Sequence, residues 1–80
     1  GLGVVLETRG DRAAAAEAWE RALSIDPGLV AARRNLADVR IRDGLFAEAR
    51  AQLVRLAQLE RGEGLARARA LLGYCELRLG

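Results

Sequence analysis

Three groups of residues in this chain have types and spacing that chemistry could use. The tripeptide Arg9, Gly10, Asp11, inside "TRGDRAAAAEAWERA", has the form of an integrin-binding loop. Glu17 and Glu20 pair two carboxylates three residues apart, as general acid–base work requires. Cys75 is the single thiol, accompanied by one serine (Ser24), one threonine (Thr8) and one tyrosine (Tyr74). The chain contains no histidine, so neither a Ser/His nor a Cys/His arrangement can be assembled from it. One cysteine closes no internal disulfide and completes no zinc or haem site. Glu17 also precedes Arg21 by four residues, which makes it half of an ordinary solvated helix pair worth ~0.2 to 0.5 kcal/mol. The segments "GLG" at 1–3 and "GEG" at 62–64 are too short for a phosphate-binding loop. The inventory therefore predicts no enzyme and no catalytic, cofactor-binding or metal-binding residue.

What must position these side chains is one small domain. Eighty residues, 51% hydrophobic and 30% charged, are too few for two independent cores. No apolar run approaches the roughly 18 residues of a membrane span, because arginines and carboxylates interrupt every candidate. All 13 basic residues are arginine, and against 11 carboxylates the formal net charge is only +2. So small an excess is thin support for binding a phosphate backbone. Neither a nucleic-acid nor a membrane partner is expected. A lone cysteine favours a reducing compartment, hence the cytoplasm, and the alanine- and arginine-rich composition fits a GC-rich bacterial genome.

The chain repeats itself. Gly10 and Gly44 lie 44 − 10 = 34 residues apart, and the same offset joins Leu2 to Leu36, Ala15 to Ala49, Trp19 to Leu53 and Gly28 to Gly62. A third copy follows at 80 − 44 = 36, in which Leu36, Ala37 and Gly44 recur as Leu72, Gly73 and Gly80. The two added residues fall in "ERGEG", Glu60 to Gly64, where a loop absorbs insertions cheaply. Within each copy, apolar residues step by three and four, as in Leu53, Leu56 and Leu59, and few are β-branched. Helices are expected at about Leu2–Arg9, Arg12–Ile25, Leu29–Arg42, Phe46–Leu59 and Leu65–Leu79, broken at Gly10, Pro27–Gly28, Gly44 and the 60–64 loop. In that scheme Gly10 ends one helix and Asp11 caps the next, so turn chemistry accounts for the tripeptide.

Period and pattern together resemble the tetratricopeptide repeat family, whose unit is a 34-residue helix-turn-helix. Leu2 and Gly3 match its leucine–glycine pair, and Ala15, Trp19, Ala22 and Pro27 match its small, aromatic, small and proline positions. The second copy keeps Leu36, Ala37, Gly44 and Ala49 but has Leu53, Leu56 and Arg61 at the later positions, and the third keeps only "LLGYCELRLG". The resemblance implies an all-α fold of antiparallel helix-turn-helix repeats, stacked as a fragment of a right-handed superhelical α-solenoid with about five helices. Residues 1–28 would be a partial first repeat, 29–62 a second and 63–80 the first helix of a third, within a longer array. Ala15, Ala49, Gly3, Ala37 and Gly73 would be small so that helices approach at the near side of ~8 to 10 Å, and a leucine there would overpack. Trp19 and Leu53 would fill the space between hairpins. Cys75 would be a buried, inert thiol.

By the same resemblance, the first helix of each repeat lines a concave face that binds a protein or peptide partner. The family's groove-lining positions fall on Val4, Glu7 and Thr8, on Ala31, Arg34, Asn35, Asp38, Ile41 and Arg42, and on Arg67, Ala70, Leu71, Tyr74, Leu77 and Arg78. Arg34 and Arg67 would anchor an acidic or carboxylate-ending peptide over an apolar floor of Ile41, Tyr74 and Leu77. Asp38 is also spaced to pair with Arg34 or Arg42, which would make the set a surface ladder satisfied within the chain. Of the basic and asparagine constellation that grips chaperone tails in some members, only Asn35 and Arg67 match, while Val4 and Leu71 depart. The alternative role is structural: a homo-oligomer packed through exposed end helices.

Overall fold

A computed structural model describes residues 9–80. Among the described residues four helices follow one another: α1 (Arg9–Ile25), α2 (Val30–Arg42), α3 (Phe46–Leu59) and α4 (Gly62–Leu79). The described residues contain no strand. The helix expected at Leu2–Arg9 lies outside them except for its last residue.

The punctuation between helices comes from local chemistry. After α1, Pro27 cannot continue a helix, and Asp26 closes a turn by accepting the Gly28 N–H at 3.1 Å through its side chain. After α2, Gly44 takes φ +76. The Gly44 N–H then donates to the Ile41 carbonyl at 3.0 Å and the Leu45 N–H to the Arg40 carbonyl at 2.8 Å, the paired bonds of a Schellman stop. Between α3 and α4 only Glu60 and Arg61 stand outside the helices, both with extended backbone.

Two boundaries differ by three residues from those expected. Arg9 and Gly10 already belong to α1, so Asp11 sits in the first turn of that helix and is not its N-cap. The alanine run from Ala13 to Ala16 favours helix strongly enough to carry a glycine in the first turn, whose penalty is at most the roughly 1 kcal/mol of a helix interior. The Arg-Gly-Asp tripeptide is therefore helical. Likewise α4 begins at Gly62, three residues before Leu65, which shortens the expected 60–64 loop to two residues. Once Arg61 has extended, Gly62 supplies φ +61 and Glu63 places an acid in the first turn, where the helix dipole favours it.

Consecutive helices pack on one another, α1 on α2, α2 on α3 and α3 on α4. Helix α2 is buried on two sides. Ala32, Leu36 and Val39 join Ala16 and Leu23 of α1, with Trp19 and Ala22 partly buried beside them. Ala37 joins Ala49, Leu53 and Leu56 of α3 and Ala68 and Cys75 of α4. Ala37, Ala49 and Leu53 thus lie where the pattern put them, fully inside, whereas Trp19 is only half-buried. Gly73 does not: it is exposed, and a Cβ built on it would meet no atom within 4 Å. No described helix crowds Gly73 as α3 crowds Ala37. Gly3 lies outside the described residues.

Polar links tie the layers. Arg12 Nε donates to Asp43 Oδ1 at 2.7 Å, joining α1 to the end of α2. Arg40 reaches Glu20 of α1 and, at 3.3 Å, Glu48 of α3. Arg33 donates to Gln52 Oε1 at 2.8 Å and to the Pro27 carbonyl at 2.9 Å, crossing from α2 to α3 and back to the first turn.

Candidate peptide-binding face

Three- and four-residue steps put Arg34, Asp38 and Ile41 on one strip of α2, and Arg67, Leu71, Tyr74 and Arg78 on one strip of α4. The two strips meet. Arg34, Ala37 and Asp38 share a small cleft with Leu53 and Leu56 of α3, with Glu60, and with Arg67, Ala68 and Leu71 of α4. Its free volume of about 10 Å³ holds at most one water, so a partner could lie across this strip but could not enter it.

The charge pattern here differs from the one expected. Arg34 Nη2 donates to Glu60 Oε1 at 2.7 Å, so its partner comes from the α3–α4 link and is not Asp38. The Glu60 side chain keeps only 12% of its exposure, against 42% for Arg34. A carboxylate read as part of a loop thus belongs to the face. Arg67, by contrast, is exposed and forms no ion pair among the described residues.

One to two turns further along α4, the Tyr74 ring meets Phe46 of α3 edge-on, with centroids 5.8 Å apart. The Arg78 guanidinium lies over both rings, 5.5 Å from the Phe46 centroid and 5.9 Å from that of Tyr74. Such a stack holds a cation by the negative face of each ring and immobilises it as a flat, polar-rimmed surface. Phe46, absent from the expected set, completes this end.

The remaining expected residues separate. Asn35 and Arg42 lie on the other side of α2, in a cleft of about 280 Å³ that Asp38 also borders, facing Asp11, Arg12, Ala15 and Trp19 of α1. Ile41 is partly buried against the core and offers little floor. Leu77 is 80% exposed and stands off the strip, on the side of α4 that also carries Ala70 and Gly73. Ala31 is exposed at the start of α2. Val4, Glu7 and Thr8 lie outside the described residues.

Among the described residues two groups have shifted acidities, and neither belongs to the strip. Burial pushes the Cys75 thiol up, reinforced by Glu76 and opposed by Arg50. Burial also lowers Arg33, helped by the nearby charge of Arg55. Cys75 is completely covered, as expected of an inert thiol. Among the described residues no group of three or more His, Cys, Asp or Glu side chains could hold a metal ion. No helix among them is long and apolar enough to cross a membrane.

A family model described as tetratricopeptide repeat matches residues 6–73 of the chain. No curated protein and no solved structure matches it.

Proposed function

The chain belongs to the tetratricopeptide repeat family, whose repeats generally mediate protein–protein interaction, and on that premise we propose that the α2–α4 strip docks an extended, carboxylate-bearing segment of a protein partner. The observation that carries this reading is Arg67, an exposed guanidinium without an ion pair among the described residues, on the same helix strip as the Tyr74–Phe46–Arg78 stack. A guanidinium forks onto a carboxylate, and the aromatic stack covers an apolar side chain from water. Arg67 and Tyr74 are seven residues apart, which at 1.5 Å per residue is about 10 Å along α4. An extended chain covers that in about three residues, so the preferred partner carries its carboxylate about three residues from a large apolar side chain. On this reading the domain is a scaffold without catalysis of its own, with residues 1–28, 29–62 and 63–80 as its partial, complete and half repeats.

The test is titration of monomeric protein, checked by light scattering, with peptides whose acidic residue, free C-terminus and apolar spacing are varied. Binding that selects the carboxylate, weakens with salt and is lost in a folded Arg67→Ala variant is expected. Equal binding of amidated, neutral peptides would sink the proposal.

A second reading, assembly through the end helix, has its own support. Ala66, Ala70, Gly73 and Leu77 form an exposed row on α4, and Leu77 is 80% exposed. Oligomeric mass as a function of concentration decides whether that row is used.

A further inference from the structure

We infer that Glu60 is an internal carboxylate that occupies Arg34 in the ligand-free chain and thereby limits the strip to partners bringing a single carboxylate. The inference rests on the docking reading above. In the 2.7 Å pair, the glutamate is the more deeply covered member, set by the extended two-residue link between α3 and α4. The apolar groups around it, Leu53, Leu56, Ala68 and Leu71, line the same cleft and lower the local dielectric, which strengthens the contact.

The lack of a side chain at Gly64 leaves space that this carboxylate fills. A Cβ on Gly64 would stand 2.2 Å from Glu60 Oε1 and 2.7 Å from its Cδ. Gly64 is helical and is not among the glycines with positive φ, so no backbone conformation requires a glycine there. A residue type unfavourable in a helix therefore occupies a position where any side chain would strike the Glu60 carboxylate.

The consequence concerns specificity. A partner's carboxylate meets Arg67 without competition, whereas the Arg34 guanidinium already engages, through Nη2, a carboxylate that is aligned and partly desolvated. Sharing or replacing that pair returns little free energy, because the guanidinium charge is already matched. A second acidic residue on the partner thus adds little in the native chain, and much once Glu60 no longer holds Arg34.

The experiment compares two peptides, one carrying a single carboxylate and one carrying two, against the native chain, Glu60→Gln, Glu63→Gln, Gly64→Ala, Arg67→Ala and the double variant Arg34→Ala/Glu60→Gln. Circular dichroism checks that each is folded. Glu63 is exposed in the first turn of α4, so its substitution makes the same change of net charge without touching Arg34. For the two-carboxylate peptide, Glu60→Gln is expected to bind about tenfold tighter than the native chain, the scale of one charge-assisted hydrogen bond. Gly64→Ala, which displaces Glu60 with every charge retained, is expected to shift affinity the same way, and removal of Arg34 to abolish the gain. The inference is overturned if the native chain binds acidic peptide through Arg67 but Glu60→Gln is no tighter, or if Glu63→Gln gives the same gain. Indifference of every variant to peptide charge would instead overturn the docking reading, and this inference with it.

Discussion

Ala37 and Gly73 occupy equivalent positions, 73 − 37 = 36 residues apart, and exchanging their residue types should have opposite and unequal effects. Gly73 lies inside α4, exposed, with no atom within 4 Å of the place a Cβ would take. Gly73→Ala therefore gains the helix preference of alanine over glycine, about 1 kcal/mol, with no steric cost. Ala37 is 1% exposed, between α2 and α3. Ala37→Gly loses the same preference and also a buried methyl worth about 0.8 kcal/mol, a total near 2 kcal/mol. For a chain of this size 1 kcal/mol corresponds to about 4–8 °C in Tm, so the first variant should melt about 5 °C higher and the second about 10 °C lower. Thermal melts by circular dichroism and urea midpoints with unchanged m-values measure both. Destabilisation of the monomer by Gly73→Ala would refute an uncrowded Gly73. A destabilisation that grows with protein concentration would show another helix packing closely on Gly73.

Two further outcomes are expected. Burial raises the Cys75 pKa, so the folded state favours the neutral thiol. This contribution is constant below the ordinary thiol value of about 8.5 and is lost as pH rises from there through the raised folded value. Urea midpoints should consequently fall between pH 7 and pH 10 more steeply for the native chain than for Cys75→Ala, and parallel curves would contradict this. If assembly uses the outer row of α4, Leu77→Glu should lower the average mass in light scattering while leaving circular dichroism and Arg67-dependent peptide binding unchanged. An identical mass in both proteins at every concentration would rule that row out.

The fold was legible where one local signal sufficed. Gly44 and Pro27 end their helices by backbone geometry that any neighbourhood would respect. Gly10 misled because its equivalence to Gly44 suggested a turn, whereas it lies within α1, ahead of a run of alanines. Gly73 misled for a different reason. Its counterpart Ala37 is small because α3 packs on it, and no described helix does the same for Gly73. At the candidate face, the family resemblance put Arg67 with Tyr74, and helical spacing put Arg34 with Asp38. It could not find Glu60, which lies 26 residues from Arg34 and reaches it only through the packing of α3 and α4. The sole hint in the chain is a glycine four residues beyond Glu60, and its meaning depends on knowing that α4 starts at Gly62.

The helical phase of α4 separates the two interaction readings. With α4 running from Gly62, its residues advance by 100° each, so Arg67, Leu71, Tyr74 and Arg78 share a strip beside α2 and α3, while Ala66, Ala70, Gly73 and Leu77 share another facing solvent. The first strip combines a guanidinium, a small cleft and an aromatic stack, features suited to a charged, extended ligand. The second is a row of small residues with one leucine, which suits close approach of another helix and has no charge to select a partner. Because no residue belongs to both, Arg67→Ala and Leu77→Glu act on independent surfaces and their effects should add. Coupling between them, with Leu77→Glu weakening peptide binding as strongly as Arg67→Ala, would mean that the ligand spans both strips. A single extended segment lying along the α2 side of α4 could not do that.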